Sequence, residues 1–161
     1  MCPRLLYLFL LTLATVLGHA RAGPCTPLAD DAGELLAAVL VLEAANQGTV
    51  GMEAVMSVID NRAKGWPALY VDVVTRPYQF SALNRSIHDP SQLPRLIARA
   101  KQDRVWPVAR AIVNAAVTGH LTDRTGGALF YADSRLRPRW LRDVRPTVLI
   151  GRHTFYVPRN H

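Results

Sequence analysis

The sequence lacks a hydrophobic run as long as a membrane helix before its predicted mature part, and its N-terminal apolar run is short. It covers residues 5–17, follows Arg4 and ends before a small-x-small sequence at residues 20–22. This order is typical of a secretory signal peptide, and the run is shorter than the roughly 20 apolar residues of a membrane helix. We therefore predict a cleavable signal at residues 1–22 and an exported, periplasmic or extracellular protein. No stable membrane anchor is expected, and an uncleaved signal-anchor is the alternative.

Cysteine is scarce, with Cys2 and Cys25 as the only two in 161 residues. Because Cys2 lies in the predicted signal, Cys25 has no intramolecular partner, and a disulfide framework is excluded despite the oxidising destination. Cys25 is a weak candidate nucleophile, since it lies in a Gly-Pro-Cys-Thr-Pro stretch at the predicted mature N terminus, where a bystander thiol is the commoner outcome. The fold must depend on packing.

Lysine is almost absent, because the 19 basic residues comprise 17 arginines and only Lys64 and Lys101. The signal carries two arginines and no acid, so its removal lowers the formal net charge from +7 to +5. A basic protein favours anionic partners, and export makes nucleic acid an unexpected one. The 139 residues that remain of the 161 suit a single domain with an ordinary core.

Helical patterns dominate the first half of the mature chain. A capping box at residues 31–34 predicts the start of a helix that runs to about Ala45, and residues 48–51 have the composition of a turn. Apolar side chains at helical spacing then predict a second amphipathic helix over residues 52–64, stopped by Gly65. Two helices would thus meet across a short turn.

The rest of the chain changes from helical to strand character. An irregular stretch is predicted from residue 66 to 94, with one short helix at about 68–74, followed by helices at about 94–103 and 106–118. Strand composition appears at residues 128–132, and residues 147–150 and 153–157 are predicted to form a hairpin. The predicted class is therefore α+β, mainly helical with a small C-terminal antiparallel β element.

Glu43 is the acidic residue with the most suggestive position. Steps of three and four residues superpose on a helix, so Val39 and Leu40 share a face with Glu43 and Gln47. A carboxylate that extends an apolar stripe is costly to ionise, which suits a proton donor at neutral pH. The alternative is a helix-end glutamate paired with an arginine such as Arg62.

Four blocks of sequence carry a resemblance when they are taken in order. They are Leu42-Glu43-Ala44 through Asn61-Arg62, then Gln79-Phe80-Ser81, then the run from Asp123 to Tyr131, and finally Trp140 with Ile150-Gly151-Arg152-His153-Thr154-Phe155-Tyr156. Together they resemble the SleB-type cell wall hydrolases, the spore-cortex-lytic enzymes and their relatives. The resemblance extends over roughly residues 35–157, which is almost the whole mature chain.

The resemblance implies a lysozyme-like, mainly helical catalytic domain that cleaves the glycan strand of peptidoglycan. It places that domain at residues 34–161, after a mature leader at residues 23–33, and it places the family's catalytic glutamate at Glu43. Amide groups and aromatic rings suit the polar edges and apolar faces of sugars. The substrate-binding residues expected on this basis are Gln79, Phe80, Tyr131 and Trp140. For Phe80, packing in the core is an equal alternative.

The chain departs from the family at one position. The family often has Glu-Ala-Arg-Gly-Glu where this chain has Glu43-Ala44-Ala45-Asn46-Gln47, so a second acid is missing. Gln47 can hydrogen-bond but cannot exchange protons near neutrality. Ordinary glycoside hydrolysis uses two carboxylates. The other acids available in the sequence, none of them singled out, are Glu53, Asp60, Asp72, Asp89 and Asp123. A single glutamate could instead act first as acid and then as base in lytic transglycosylation.

Two interpretations other than an active enzyme remain. The missing acid at Gln47 is compatible with a catalytically weak or inactive wall-binding protein of the same fold. The arginines and tryptophan of residues 135–145 are compatible with a basic exported protein that binds an anionic polymer. The histidines lack the spacing of metal ligands, so no metal or cofactor is predicted and His153 is expected to pack within the hairpin. The oligomeric state is left open.

Overall fold

Within residues 28–159, which the computed structural model describes, six helices precede one three-stranded sheet. The predicted signal and Cys25 lie outside these residues. The helices are α1 (Asp30–Ala44), α2 (Gly48–Ala63), α3 (Tyr70–Thr75), α4 (Asn84–His88), α5 (Gln92–Lys101) and α6 (Trp106–Val117). The strands are β1 (Phe130–Asp133), β2 (Val144–Ile150) and β3 (His153–Pro158). Single turns of 3-10 helix cover Ala45–Gln47, Pro67–Leu69, Ser81–Leu83 and Arg139–Asp143. The predicted class is confirmed.

Helix α1 is the centre of the domain and packs against α2, α3, α5 and α6. Its side chains are apolar on nearly every face, and Leu36, Val39 and Leu40 have no exposed surface. A helix that is hydrophobic all round must be surrounded by other elements. The stretch Asp30–Ala63 is long and apolar enough to cross a membrane by composition alone, but more than half of its most apolar part is buried inside the domain.

The start of α1 and its connection to α2 differ from the prediction. The capping box at residues 31–34 is wrong, because α1 begins at Asp30 without a side-chain cap and Glu34 pairs with Lys101 of α5 at 2.5 Å. The turn at residues 48–51 is also wrong. The chain reverses at Ala45–Gln47, and residues 48–51 already form the first turn of α2.

The later helices follow the sequence pattern more closely. Helix α2 ends where predicted, with Lys64 and Gly65 both in the left-handed region (φ 56° and 73°). Helix α6 spans Trp106–Val117, as its proline and closing glycine indicate. The stretch from residue 66 to 94 is less irregular than predicted. It contains the 3-10 turns Pro67–Leu69 and Ser81–Leu83 and the helices α3 and α4. Each of these elements is too short for its apolar residues to show a helical period.

The sheet has the order β1-β3-β2 with both pairs antiparallel, and the predicted hairpin is the β2–β3 pair. Strand β1 pairs with β3, with Tyr131 opposite Phe155 and Phe130 opposite Tyr156. Since neighbouring residues of a strand point to opposite faces, Tyr131 and Phe155 lie on one face of the sheet and Phe130 and Tyr156 on the other. This alternation decides which aromatic rings can reach α1.

The inner face of the sheet packs on α2 around a second, smaller core. Its buried members are Ala54, Val58, Ala128 and Phe155, with Tyr131, Val148 and Ile150 packed against them. Phe155 is the largest of the buried members and has no exposed surface. The position of the sheet on the helices therefore depends strongly on this one ring.

Phe155→Ala is expected to lower the free energy of unfolding by about 3–5 kcal/mol, because it removes a buried aromatic ring and leaves a cavity. Urea denaturation followed by circular dichroism would measure the loss. Leu149→Ala is the matched control on the neighbouring strand, since 60% of the Leu149 side chain is exposed. Similar losses for the two variants would contradict a core role for Phe155.

Candidate active site

The carboxylate of Glu43 is held by three hydrogen-bond donors. Its Oε1 accepts from the backbone N–H of Ala82 at 2.7 Å and from Ser81 Oγ at 2.9 Å. Its Oε2 accepts from the hydroxyl of Tyr131 at 3.0 Å. These donors come from a 3-10 turn and from β1, which are 38 to 88 residues further along the chain. The tertiary fold thus assembles a fixed position for one partly exposed carboxylate.

Tyr131 is the only one of these donors that the sequence suggested. Its ring lies against three other rings, with centroid distances of 6.4 Å to Phe80, 5.1 Å to His153 and 5.7 Å to Phe155. Burial, the nearby negative charge of Glu43 and the hydrogen bond to it raise the pKa of Tyr131 well above its ordinary value. The phenol therefore stays protonated and available as a donor at physiological pH.

His153 packs against the Tyr131 ring, with the centroids 5.1 Å apart, within the hairpin as expected. Burial lowers its pKa, and the negative charges of Glu43 and Asp133 only partly oppose that effect. The imidazole is consequently neutral at neutral pH. In the part of the chain that the structure describes, its buried Nδ1 makes no hydrogen bond.

Arg62 does not form the ion pair with Glu43 that the sequence left open. Its Nε donates to the carbonyl of Leu129 at 2.7 Å, and its guanidinium lies between the rings of Phe80 (5.4 Å) and Phe130 (5.7 Å). Burial lowers the pKa of Arg62 from its ordinary value. Arg62 thus anchors the start of β1, which carries Tyr131, rather than neutralising Glu43.

The other sequence-predicted residues divide into three outcomes. Gln79 is exposed two residues before Ser81, so it stays a candidate for substrate contact. Phe80 is only 1% exposed, so of its two predicted positions, the cleft wall and the core, the structure shows the core. Trp140 packs on Phe130 (5.8 Å) and Tyr156 (5.5 Å), which lie on the sheet face opposite Tyr131. Trp140 therefore does not share a wall with Tyr131, and its contact with a substrate stays a prediction.

A groove of about 280 Å³ opens beside Glu43, between the C-terminal ends of α1 and α5. The residues that line it are Val41, Leu42, Glu43, Ala45, Asn46, Arg99, Ala100 and Asp103. Of its polar members, the sequence predicted only Glu43. Asn46 follows Glu43 by three residues, but α1 ends at Ala44 and Asn46 lies in the 3-10 turn that follows, so helical spacing does not place it. Arg99 and Asp103 reach the groove through the tertiary fold alone.

Gln47 lies at the position of the missing acid. It connects the turn after α1 with the turn of the β2–β3 hairpin. Its Nε2 donates to Asn46 Oδ1 at 2.9 Å, and its Oε1 accepts from the backbone N–H of Arg152 at 2.7 Å. Arg152 follows Gly151 in the turn of the β2–β3 hairpin, where any side chain on Gly151 would overlap the Gln47 amide. Gln47 therefore holds the hairpin, which carries His153, against the end of α1.

Comparison with known proteins gives a family match over most of the chain. The sequence model of the family described as Cell Wall Hydrolase matches residues 46–156. The chain belongs to the cell wall hydrolase family. The match begins three residues after Glu43, so it does not itself include the acid. No curated protein matches the chain significantly.

Two solved structures have the same fold as this cell wall hydrolase. The catalytic domain of the germination-specific lytic transglycosylase SleB from Bacillus anthracis is 22% identical, with a TM-score of 0.61, and the match covers 82% of this chain and 98% of that one. The catalytic domain of the Bacillus cereus SleB protein is 22% identical, with a TM-score of 0.59 and coverages of 85% and 99%. The SleB-type fold and family predicted from the four sequence blocks are confirmed.

The structure gives a physical reason for two of those blocks. In the Asn61-Arg62 block, Asn61 Nδ2 donates to Asp123 Oδ2 (3.3 Å) and to the carbonyl of Ala128 (3.2 Å), beside the Arg62 bond to Leu129. The end of α2 thus holds the loop that runs from Asp123 into β1. This contact fixes where β1 begins, and hence where the Tyr131 hydroxyl meets Glu43.

The five acids that the sequence left as candidate second carboxylates serve other roles or lie exposed. Glu53 pairs with Arg124 at 3.0 Å, and Asp60 accepts from the hydroxyl of Tyr70 at 2.6 Å. The others are Asp72, exposed in the first turn of α3, Asp89, which accepts from Ser91 and Gln92 before α5, and Asp123, which organises its own loop. The carboxylate that shares the groove with Glu43 is instead Asp103.

The Asp123 carboxylate accepts four hydrogen bonds, from the Thr125 N–H and hydroxyl, the Gly127 N–H and the Asn61 amide. Desolvation opposes its ionisation, but these bonds together lower the pKa of Asp123. A carboxyl whose pKa is depressed by folding stabilises the protein above its unfolded pKa of about 3.9 and loses that contribution as the pH falls through the folded value.

Asp123→Asn is therefore expected to destabilise the protein at pH 7 and to have a progressively smaller effect below about pH 4, where the native carboxyl also becomes neutral. Urea denaturation of both proteins between pH 3 and pH 7 measures the difference. A difference in unfolding free energy that stays constant across this range would contradict the role of the charged form.

Proposed function

We propose that this cell wall hydrolase cleaves the glycan strand of peptidoglycan and that Glu43 transfers the protons. The observation that carries the proposal is the Glu43 carboxylate itself, which is held by three donors and belongs to a residue that lines a groove. Family membership supports a substrate in the cell wall, and one protein with this fold is named as a lytic transglycosylase. An exported protein, as its N-terminal residues predict, would meet that substrate.

The two oxygens of Glu43 have different roles in this proposal. Oε1 accepts from a backbone N–H, which cannot reverse its direction, so a proton on Oε1 would face another proton. Oε2 faces the Tyr131 hydroxyl, which can donate or accept by rotating. The exchangeable proton therefore resides on Oε2, and Tyr131 helps to direct it.

The single-glutamate reaction proceeds in two steps. Glu43 first donates its proton to the glycosidic oxygen, the bond from that oxygen to C1 of the muramic acid breaks, and positive charge develops at C1. The Glu43 carboxylate then removes the proton of the C6 hydroxyl of the same sugar, and that oxygen bonds to C1. Glu43 is protonated again, no water is consumed and the new chain end is a 1,6-anhydro sugar.

Hydrolysis is the second candidate reaction, and one observation favours it. Asp103 lines the same groove as Glu43, and among the residues that the structure describes only its Oδ1 is engaged, by the backbone N–H of Val105 at 3.0 Å. A second carboxylate in that position would activate a water molecule, as inverting glycosidases do. The product of that reaction has a reducing end instead of an anhydro end.

Incubation of the purified protein with peptidoglycan sacculi, followed by mass spectrometry of the soluble fragments, tests both reactions. We expect 1,6-anhydro ends in the native digest and in that of Asp103→Asn. Reducing ends that disappear with Asp103→Asn would identify hydrolysis with two carboxylates. Sacculi that remain intact with the native protein would overturn the enzymatic proposal and favour the wall-binding interpretation.

The basic segment at residues 135–145 offers less to an anionic polymer than its sequence suggested. Arg135 donates twice to Asp133 at 2.9 Å, and Arg137 donates to the backbone carbonyls of Ser134 and Leu136. These two arginines serve the loop itself. Salt-sensitive binding to DNA but not to sacculi would be needed to favour this interpretation over cleavage of the wall.

A further inference from the structure

We propose that the groove beside Glu43 is a binding subsite for one N-acetylated sugar residue of the glycan strand, with Asn46, Arg99 and Asp103 as its polar contacts. The proposal rests on the function proposed above, since it names where the strand lies relative to the proton donor. It assigns a direction to the substrate, from Glu43 toward the C-terminal end of α5.

Apolar and polar residues both line the groove, and its most buried lining residues, which form its floor, are apolar. Val41 and Ala100 are almost fully buried, and Leu42 and Ala45 extend this surface. A sugar ring has an apolar face bordered by hydroxyl groups, and apolar sites with a few placed polar groups are typical of small-ligand binding. The volume of about 280 Å³ lies just below the range of about 300–1,000 Å³ for drug-sized ligands, so it suits a single sugar ring.

The polar edge offers both donors and acceptors. The side chain of the exposed Arg99 makes no hydrogen bond or ion pair with another described residue, which leaves its five N–H donors available. Asp103 keeps Oδ2 as an acceptor, because only Oδ1 is engaged by Val105. Hydroxyl groups both donate and accept, so this mixture matches a neutral sugar. A carboxylate ligand would be repelled by Asp103 and Glu43.

Asn46 contributes an oriented donor, and Gln47 provides the orientation. The Gln47 amide is used at both ends, because it donates to Asn46 Oδ1 and accepts from the Arg152 N–H. The carbonyl end of Asn46 is therefore occupied, and its NH₂ group is the end left for a ligand. An N-acetyl group has a carbonyl oxygen that accepts such a bond and a methyl group that suits the apolar floor. Gln47, which lies where the family often has an acid, thus determines that the NH₂ end of the Asn46 amide faces the ligand.

Steady-state kinetics on soluble, uncrosslinked peptidoglycan strands test the subsite. Asn46→Ala and Arg99→Ala are each expected to raise KM about tenfold, the loss typical of hydrogen bonds to a charged or oriented donor, with kcat little changed. Arg95→Ala is the matched control, because Arg95 is an exposed arginine one turn earlier on α5 that does not line the groove. Unchanged KM values for both groove variants would overturn the proposal.

Gln47→Glu separates orientation from packing. A glutamate still accepts from the Arg152 N–H but cannot donate to Asn46, so the Asn46 amide turns its carbonyl toward the groove. We expect an unchanged Tm with KM raised about five- to tenfold. Restoring the acid would then weaken substrate binding rather than restore activity. A native KM for this variant would overturn the role of Gln47 in orienting Asn46.

A binding titration distinguishes failure of the subsite from failure of the proposed function. The probe is a tetramer of β-1,4-linked N-acetylglucosamine, followed by backbone NMR shifts in Glu43→Gln and in Glu43→Gln with Arg99→Ala. Shifts at Asn46 and Ala100 that vanish with the second substitution support the subsite even if the native protein leaves sacculi intact. Cleavage of sacculi without such shifts, and with native KM for the groove variants, overturns the subsite alone.

Discussion

Glu43→Gln is expected to lower the rate of peptidoglycan cleavage by about 10³-fold, because one residue would lose both the donation and the removal of the proton. The variant should fold normally. The glutamine carbonyl can still accept from Ser81 and Ala82, and its NH₂ group can donate to the Tyr131 oxygen in place of the present bond. Release of soluble muropeptides, measured against time by mass spectrometry, gives the rate.

Glu34→Gln is the matched control, since Glu34 lies on the same helix and pairs only with Lys101 in a partly exposed ion pair. Such pairs contribute at most about 1 kcal/mol to stability, so this variant should cleave at the native rate. Thermal unfolding of both variants shows whether the fold is kept. If Glu43→Gln released muropeptides within a few-fold of the native rate, Glu43 would not be the proton donor.

Tyr131→Phe is expected to lower kcat by about 10- to 100-fold, with a loss of stability of about 1.5–3 kcal/mol from the hydrogen bond to the carboxylate. The phenylalanine ring retains the contacts with Phe80, His153 and Phe155, and only the hydroxyl that donates to Glu43 is lost. Glu43 Oε2 then lacks the hydroxyl that donates to it when it is charged and can accept from it when it is protonated. Initial rates on soluble strands, with kcat and KM determined separately, measure the effect.

Tyr156→Phe supplies the comparison, because Tyr156 lies on the opposite face of the sheet against Trp140. Its substitution should leave kcat unchanged. Equal losses of kcat in the two variants would show that the sheet as a whole matters and that the Tyr131 hydroxyl does not. A lower KM with Tyr131→Phe would indicate that the hydroxyl competes with the substrate for Glu43.

Glu43 could be proposed from the sequence because a single acid on an apolar stripe is a local feature. Its position in the last turn of α1 is reproduced by the structure. The donors Ser81 and Ala82 were not predicted, since they lie 38 and 39 residues away and one of them acts through its backbone. A backbone N–H has no residue type that a pattern could reveal.

Two of the predicted aromatic residues illustrate a different limit. Phe80 and Trp140 have side chains that suit a sugar and a hydrophobic core equally well. Phe80 is buried by Tyr131 and Arg62, while the strand alternation that separates Tyr131 from Phe130 also places Trp140 on the outer face of the sheet. Which face a ring occupies depends on strand pairing, and residue type alone does not specify that pairing.

The sequence by itself determined the family, the mainly helical class, the hairpin and the candidate acid, because these depend on local periodicity, turn chemistry and ordered motifs. The tertiary structure decided what surrounds Glu43: the donors from Ser81, Ala82 and Tyr131, and the groove with Arg99 and Asp103. It also gave Gln47 a role in holding the hairpin and Asn46. Such contacts join residues far apart in the chain, so only the tertiary packing around the C-terminal end of α1 brings them together.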